Sequence, residues 1–183
     1  MKPAPRQQVP DSSAARHGAG DRIVLMGVSG SGKTTIGQML SDRLEVAWVD
    51  GDDLHPATNI ARMTSGLPLR DADRWPWLDR VAGVLRDRAP VIVGASALRR
   101  AYRDYLRQNA GGPVRFIFLS GRRDLIAARM AGRRGHFMPP ALLDSQFAAL
   151  EPPGADEDTL ELDVSAPPDA LVDAILRWRD RAG

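Results

Sequence analysis

The sequence predicts an α/β fold of three layers, with a five-stranded parallel sheet between helices. Two observations carry that prediction. Apolar runs short enough for buried strands alternate with segments of helical period from residue 21 onward, and no internal repeat interrupts them. The first run, Ile23-Val24-Leu25-Met26, leads directly into Gly27-Val28-Ser29-Gly30-Ser31-Gly32-Lys33-Thr34 and then into Ile36, Met39, Leu40 and Leu44 at helical spacing. That glycine stretch fits G-x-x-x-x-G-K-[ST], the pattern of a phosphate-cradling loop between a strand and a helix.

Each residue of the loop has a physical task. Gly27, Gly30 and Gly32 permit backbone conformations closed to side chains. The N–H groups from Val28, Ser29 and Ser31 through Thr35 then surround an anion at the positive end of a helix. Lys33 would reach the outer phosphates of a nucleotide, and the Thr34 hydroxyl would ligate Mg²⁺. Among 25 cationic residues only Lys2 and Lys33 are lysine. A compact, rotatable ammonium suits this position better than a planar guanidinium.

The second strand is expected over 46–49. It ends in Asp50-Gly51-Asp52-Asp53-Leu54-His55-Pro56, where ligands bind in parallel sheets. One of Asp50 and Asp52 could address Mg²⁺ through water while the other faces a substrate hydroxyl. Pro56 opens a short helix over 57–65 that sends Arg62 toward the cleft, and Gly66 ends it. Asp71 or Asp73 is the expected cap of a helix over 75–88, whose Trp77, Leu78, Val81, Val84 and Leu85 form a core face.

The third strand, 91–95, runs into Ser96-Ala97-Leu98 with no acid, which leaves the metal and proton work to Asp50 and Asp52. A helix over 98–108 carries Arg99, Arg100, Arg103 and Arg107. Two readings of these stay open: a solvated basic face, or one or two guanidiniums near the strand end gripping an anion. A fourth strand over 114–119 and a helix over 122–130 follow. Arg129, Arg133 and Arg134, bracketed by glycines and followed by His136 and Pro139-Pro140, suit a hinged flap over about 129–140 that brings positive charge onto phosphates and excludes water. A helix over 141–150, a strand over 159–164 and a last amphipathic helix capped by Asp169 complete the order.

Composition sets bounds. The chain has 183 residues, 43% hydrophobic and 26% charged, enough for one domain with a real core. Residues 1–20, rich in Pro, Ala, Ser, Gln and Gly, read as a flexible tail before a domain over 21–183. With no cysteine, disulfides are excluded and a reducing, cytoplasmic setting is expected. The pI near 9.5 accompanies a net charge of only +2. The arginines are spread over several helices without stacking aromatics beside them, so no nucleic-acid partner is expected. No apolar run approaches the roughly 20 residues of a membrane helix.

The chain resembles the gluconokinases, small kinases that phosphorylate D-gluconate on its 6-hydroxyl. The resemblance spans about residues 21–181 and rests on Leu25 through Lys33; Asp50-Gly51-Asp52 with Leu54-His55-Pro56 and Asn59-Ile60; Met63 with Ser65-Gly66, Pro68-Leu69 and Asp73-Arg74; Pro76-Trp77-Leu78; Ser96-Ala97-Leu98 with Tyr102-Arg103-Asp104; Arg134-Gly135-His136-Phe137; and Glu151-Pro152 with Gly154-Ala155-Asp156-Glu157. It departs from the family at Ala95, where Cys is frequent, and at Arg99 and Arg100, where Lys is frequent. The Asp-Gly-Asp segment also occurs in adenylylsulfate kinases, but His55-Pro56 and Ser96-Ala97-Leu98 argue against that assignment.

The resemblance implies a P-loop kinase fold of the nucleoside- and shikimate-kinase kind, a homodimer, and transfer from ATP to D-gluconate giving ADP and 6-phosphogluconate. Under it, Lys33, Asp52 and Arg133 are the expected catalytic residues. Thr34 and Asp50 hold Mg²⁺. The glycine loop, Arg129 and Arg134 hold ATP. Asp52, His55, Arg62, Arg103 and His136 meet the substrate, the arginines at its carboxylate.

Overall fold

The computed structural model describes residues 20–132 and 140–181. Five strands, β1 (Arg22–Met26), β2 (Ala47–Asp50), β3 (Val91–Gly94), β4 (Arg115–Ser120) and β5 (Thr159–Asp163), form one sheet in the order β2-β3-β1-β4-β5. Every neighbouring pair is parallel. Seven α-helices accompany them: α1 (Lys33–Leu44), α2 (Ala57–Thr64), α3 (Asp71–Asp87), α4 (Arg100–Asn109), α5 (Arg123–Ala131), α6 (Pro140–Ala149) and α7 (Pro168–Arg181).

Strand alternation splits the core in two. Ile23 and Leu25 of β1 pack with Ile36 and Leu40 of α1, Ile126 of α5, Leu143 of α6 and Leu171, Val172 and Ile175 of α7. Val24 and Met26 face the other way, against Trp77, Leu78, Val81 and Leu85 of α3 and Tyr102 and Leu106 of α4. Both faces of the sheet are covered, so the inner strands β1, β3 and β4 read as apolar runs, as buried parallel strands do, while the edge strand β5 alternates. The strand order reverses direction at β1, and the crevice beyond the strand ends at such a reversal is where ligands of open parallel sheets bind. The glycine loop leaves β1 at that crevice.

The predicted boundaries differ from the observed ones by up to four residues. The largest difference is α3, which begins at Asp71 with Arg70 as its cap residue; the Asp73 carboxylate accepts from the Arg70 N–H at 2.8 Å. Asp73 therefore caps from inside the first turn, and Arg74 is helical. Asp169 likewise lies in the first turn of α7. Two further short elements are 3₁₀ helices, Gly51–Leu54 and Ala155–Glu157.

Candidate active site

Gly27, Gly30 and Gly32 all have positive φ, at 144°, 79° and 100°. At Gly27 a Cβ would come within 2.7 Å of the Leu119 carbonyl and 2.9 Å of Ser31 Oγ, so the loop cannot close here around a side chain. Lys33 Nζ donates to the carbonyls of Gly27 and Val28, 3.0 Å each, which folds the ammonium over the loop's own rim. Ser31 Oγ is the one buried side-chain polar atom without a partner among the described residues. A buried hydroxyl left unsatisfied costs stability unless a ligand completes it. Together with the glycine cradle and the helix start at Lys33, these features fit a bound polyphosphate.

The acids after β2 occupy the neighbouring rim. Register sets Asp50 level with Gly94, so its carboxylate stands beside the strand end that lacks an acid of its own. Asp50 Oδ2 accepts from Thr34 Oγ1 at 3.1 Å, while Oδ1 accepts from the Asp52 N–H at 3.1 Å and caps the 3₁₀ turn. Gly51 serves close approach: a Cβ there would lie 2.2 Å from the Gly94 carbonyl, and its own carbonyl accepts from Trp77 Nε1 at 2.7 Å. A divalent cation between Thr34 and Asp50 is consistent with this hydroxyl–carboxylate pair.

Two cavities flank the loop. One, of about 360 Å³, is lined by Gly30, Gly32, Thr35, Arg129, Val164 and Ala166 among others. Arg129 Nη2 donates to the Val164 carbonyl at 2.7 Å, tying α5 to the segment after β5. The other is lined by Ser29 and Lys33 of the loop, Asp52, His55, Arg74 and Trp77 across from them, Ser96 and Leu98, and Ser145 and Gln146 of α6. Lys33 and Asp52 thus border one space, with the nucleotide loop at one wall and hydrogen-bonding side chains at the other.

His55 is 8% exposed and stacks on Trp77, ring centroids 4.7 Å apart. Burial, then the charges of Arg74 and Arg80, hold its pKa down to about 4, so the imidazole is neutral at ordinary pH.

Not every expected residue reaches this space. Arg103 is fully buried. Its Nε and Nη2 pair with Glu157 at 2.6 and 2.7 Å, and Nη1 donates to the carbonyls of Ala97, Leu98 and Glu151. A guanidinium so engaged has no reach toward a substrate, and its expected role at the carboxylate is corrected. The neighbouring arginines are paired with acids too: Arg99, the cap residue of α4, with Asp71, Arg100 with Asp156 and Arg107 with Glu157. Arg62 turns to the Pro68 carbonyl at 2.9 Å and to Asp73, and does not line the cavity. Arg74 does. Its side chain is 17% exposed, and Nη1 donates to the Leu69 carbonyl at 2.6 Å. Arg133, Arg134 and His136 lie outside the described residues, as does most of the expected flap.

Comparison with known proteins bears on this geometry. The AAA domain family model matches residues 23–153. The thermosensitive gluconokinase of Escherichia coli K12 is 48% identical over 153 residues, covering 80% of this chain and 81% of the relative. The chain belongs to the gluconokinase family. A gluconokinase crystal structure from Sinorhizobium meliloti 1021 superimposes with a TM-score of 0.84 at 43% identity, covering 91% of this chain and 95% of that one. The APS kinase of Mycobacterium tuberculosis shares the fold at 21% identity, with a TM-score of 0.64.

Two polar residues that line this cavity were not among the expected site residues. Arg74 counted only toward the family resemblance, at the start of a helix expected from residue 75. Gln146 was one polar residue on a helix read by its apolar period. Its Oε1 accepts from the Ser29 N–H at 2.7 Å and its Nε2 donates to Ser29 Oγ at 3.0 Å, so α6 grips the glycine loop with both ends of one amide.

Proposed function

We propose that this chain transfers the γ-phosphoryl group of ATP to the 6-hydroxyl of D-gluconate, giving ADP and 6-phosphogluconate. The observation that carries this reading is the single cavity bordered by Lys33, Asp52, His55 and Arg74 on the far side of the glycine loop from the Arg129 cavity. Membership of the gluconokinase family supports the choice of acceptor.

In this reading ATP lies with its phosphates in the 27–34 loop and its base end toward Thr35, Arg129 and Ala166. Lys33 leaves the loop carbonyls for the phosphates. Thr34 and Asp50 hold Mg²⁺, which neutralises charge on the phosphate oxygens. Asp52 orients the attacking hydroxyl and accepts its proton. In a loose transition state that proton leaves late, so orientation counts for more than basicity. Arg74 takes over the carboxylate contact first assigned to Arg62 and Arg103. Arg129, Arg133 and Arg134 are assigned to the phosphates and His136 to the substrate. The same reading expects a homodimer acting in the cytoplasm.

Coupled ADP release with D-gluconate tests it. Lys33→Ala should abolish turnover while circular dichroism and Tm stay native-like. Undiminished turnover in that variant would remove the phosphate assignment.

A further inference from the structure

Behind His55, in the wall of the second cavity, stands a hydrogen-bond chain whose direction can be read from chemistry alone. Asn59 Nδ2 lies 2.7 Å from the Asp73 carbonyl and 3.2 Å from His55 Nδ1. A backbone carbonyl can only accept, so the Asn59 atom facing it is the NH₂ group. That group has two hydrogens. One serves Asp73 and the other points to His55 Nδ1, which must then accept. An imidazole whose Nδ1 accepts carries its proton on Nε2.

The ring is fixed in orientation as well as in tautomer. It lies nearly parallel to Trp77, with an interplanar angle of 14°, and Trp77 is itself pinned by its bond to the Gly51 carbonyl. Among the described residues the one hydrogen bond of the ring is that at Nδ1. The ring lines the cavity shared by Lys33, Asp52 and Arg74.

We propose that Asn59 is a positioning residue that locks His55 as the neutral Nε2–H tautomer, so that the ring offers one uncharged N–H donor to an acceptor oxygen of the polyhydroxy acid. The inference rests on the proposed gluconate site and deepens it. A fixed neutral donor distinguishes substrates by where they carry an oxygen, without adding a second charge beside Arg74. The charged groups around the ring are Arg74 and Arg80 on α3 and, across the cavity, Asp52 and Lys33. The two arginines oppose protonation of the ring, in keeping with its neutral state.

The test begins with the protein alone. Nitrogen-15 NMR of histidine-labelled protein, with the His55 signals assigned by loss in His55→Phe, should show the Nε2–H tautomer from pH 5.5 to 8. A protonated ring or the Nδ1–H tautomer in that range would overturn the proposal. In Asn59→Ala the signals should become a tautomer mixture and the gluconate KM should rise several-fold across the same pH range, with the ATP KM unchanged. An unaltered tautomer and gluconate KM in Asn59→Ala would also overturn it. His55→Phe keeps the stack on Trp77 but has no N–H; it should raise the gluconate KM at every pH, and an unchanged KM would exclude the donor role. Failure of wild-type turnover with gluconate would instead refute the substrate assignment, and the spectra would still report the lock.

Discussion

Asp50 and Asp52 stand two residues apart and are held differently. Asp50 is engaged on both oxygens, by the Thr34 hydroxyl and the Asp52 N–H. Asp52 borders the cavity that faces Lys33. The asymmetry suits a metal-side role for the first and an acceptor-side role for the second. Asp52→Asn should therefore lower kcat by roughly 10²–10⁴-fold if proton acceptance matters. If steady-state kinetics showed only a higher gluconate KM, Asp52 would be a binding group.

Single residues also set the acid limit of stability. The unfolded His55 ring titrates near 6.5 and the folded one near 4. Between these values only the unfolded chain takes up the proton, so the contribution is complete above 6.5 and lost as pH falls through 4. Glu157 is held at about 2, against 4.5 unfolded, chiefly by its bond from Arg103. Its contribution is complete above 4.5 and lost as pH falls through 2. Calorimetric Tm should decline in two successive stages on acidification, and His55→Phe should lack the upper one.

At the level of elements, the segment between β3 and α4 depends on support from behind. Ala97 has a left-handed φ of 41° and is fully buried. Such a conformation costs energy and persists only where neighbours over-determine it. Arg103 binds the carbonyls of Ala97, Leu98 and Glu151, and Glu151 N–H returns to the Leu98 carbonyl at 2.8 Å. Ser96 and Leu98, which wall the second cavity, are thus placed by an arginine that does not line it. Arg103→Ala leaves Glu157 buried without its bidentate partner and should cost about 3–5 kcal/mol in urea unfolding. A variant of native stability with only a raised gluconate KM would return Arg103 to the substrate. On the opposite wall, Gln146 links α6 to Ser29. The two walls meet the loop through polar contacts that join distant parts of the chain.

For the whole molecule, the strand–helix order and the glycine loop were legible because both are local. Periodicity marks buried strands, and the loop's spacing is set by one anion. The crevice was legible as well, since carboxylates after a strand of a parallel sheet lie at its ligand-binding edge. Residue types alone could not tell which arginines face inward. Arg103 looked like an anion grip because its partner, Glu157, lies 54 residues away in the short 3₁₀ helix before β5. Arg74 fell at the expected start of α3, so its place on the cavity wall was not visible from helical period. Asn59 counted only toward the family resemblance, since its role comes from two partners, His55 and the Asp73 carbonyl, brought together by tertiary packing. The flap arginines Arg133 and Arg134 lie outside the described residues.

The central claim is that this loop and this cavity serve one acceptor. Coupled ADP release measured side by side with D-gluconate, adenylylsulfate, shikimate and related sugar acids tests it most directly. The account predicts that gluconate gives the highest kcat/KM, with one phosphorylated product bearing the phosphate on the 6-oxygen. ATP binding without gluconate-dependent ADP release, or faster turnover with adenylylsulfate or shikimate, would contradict it.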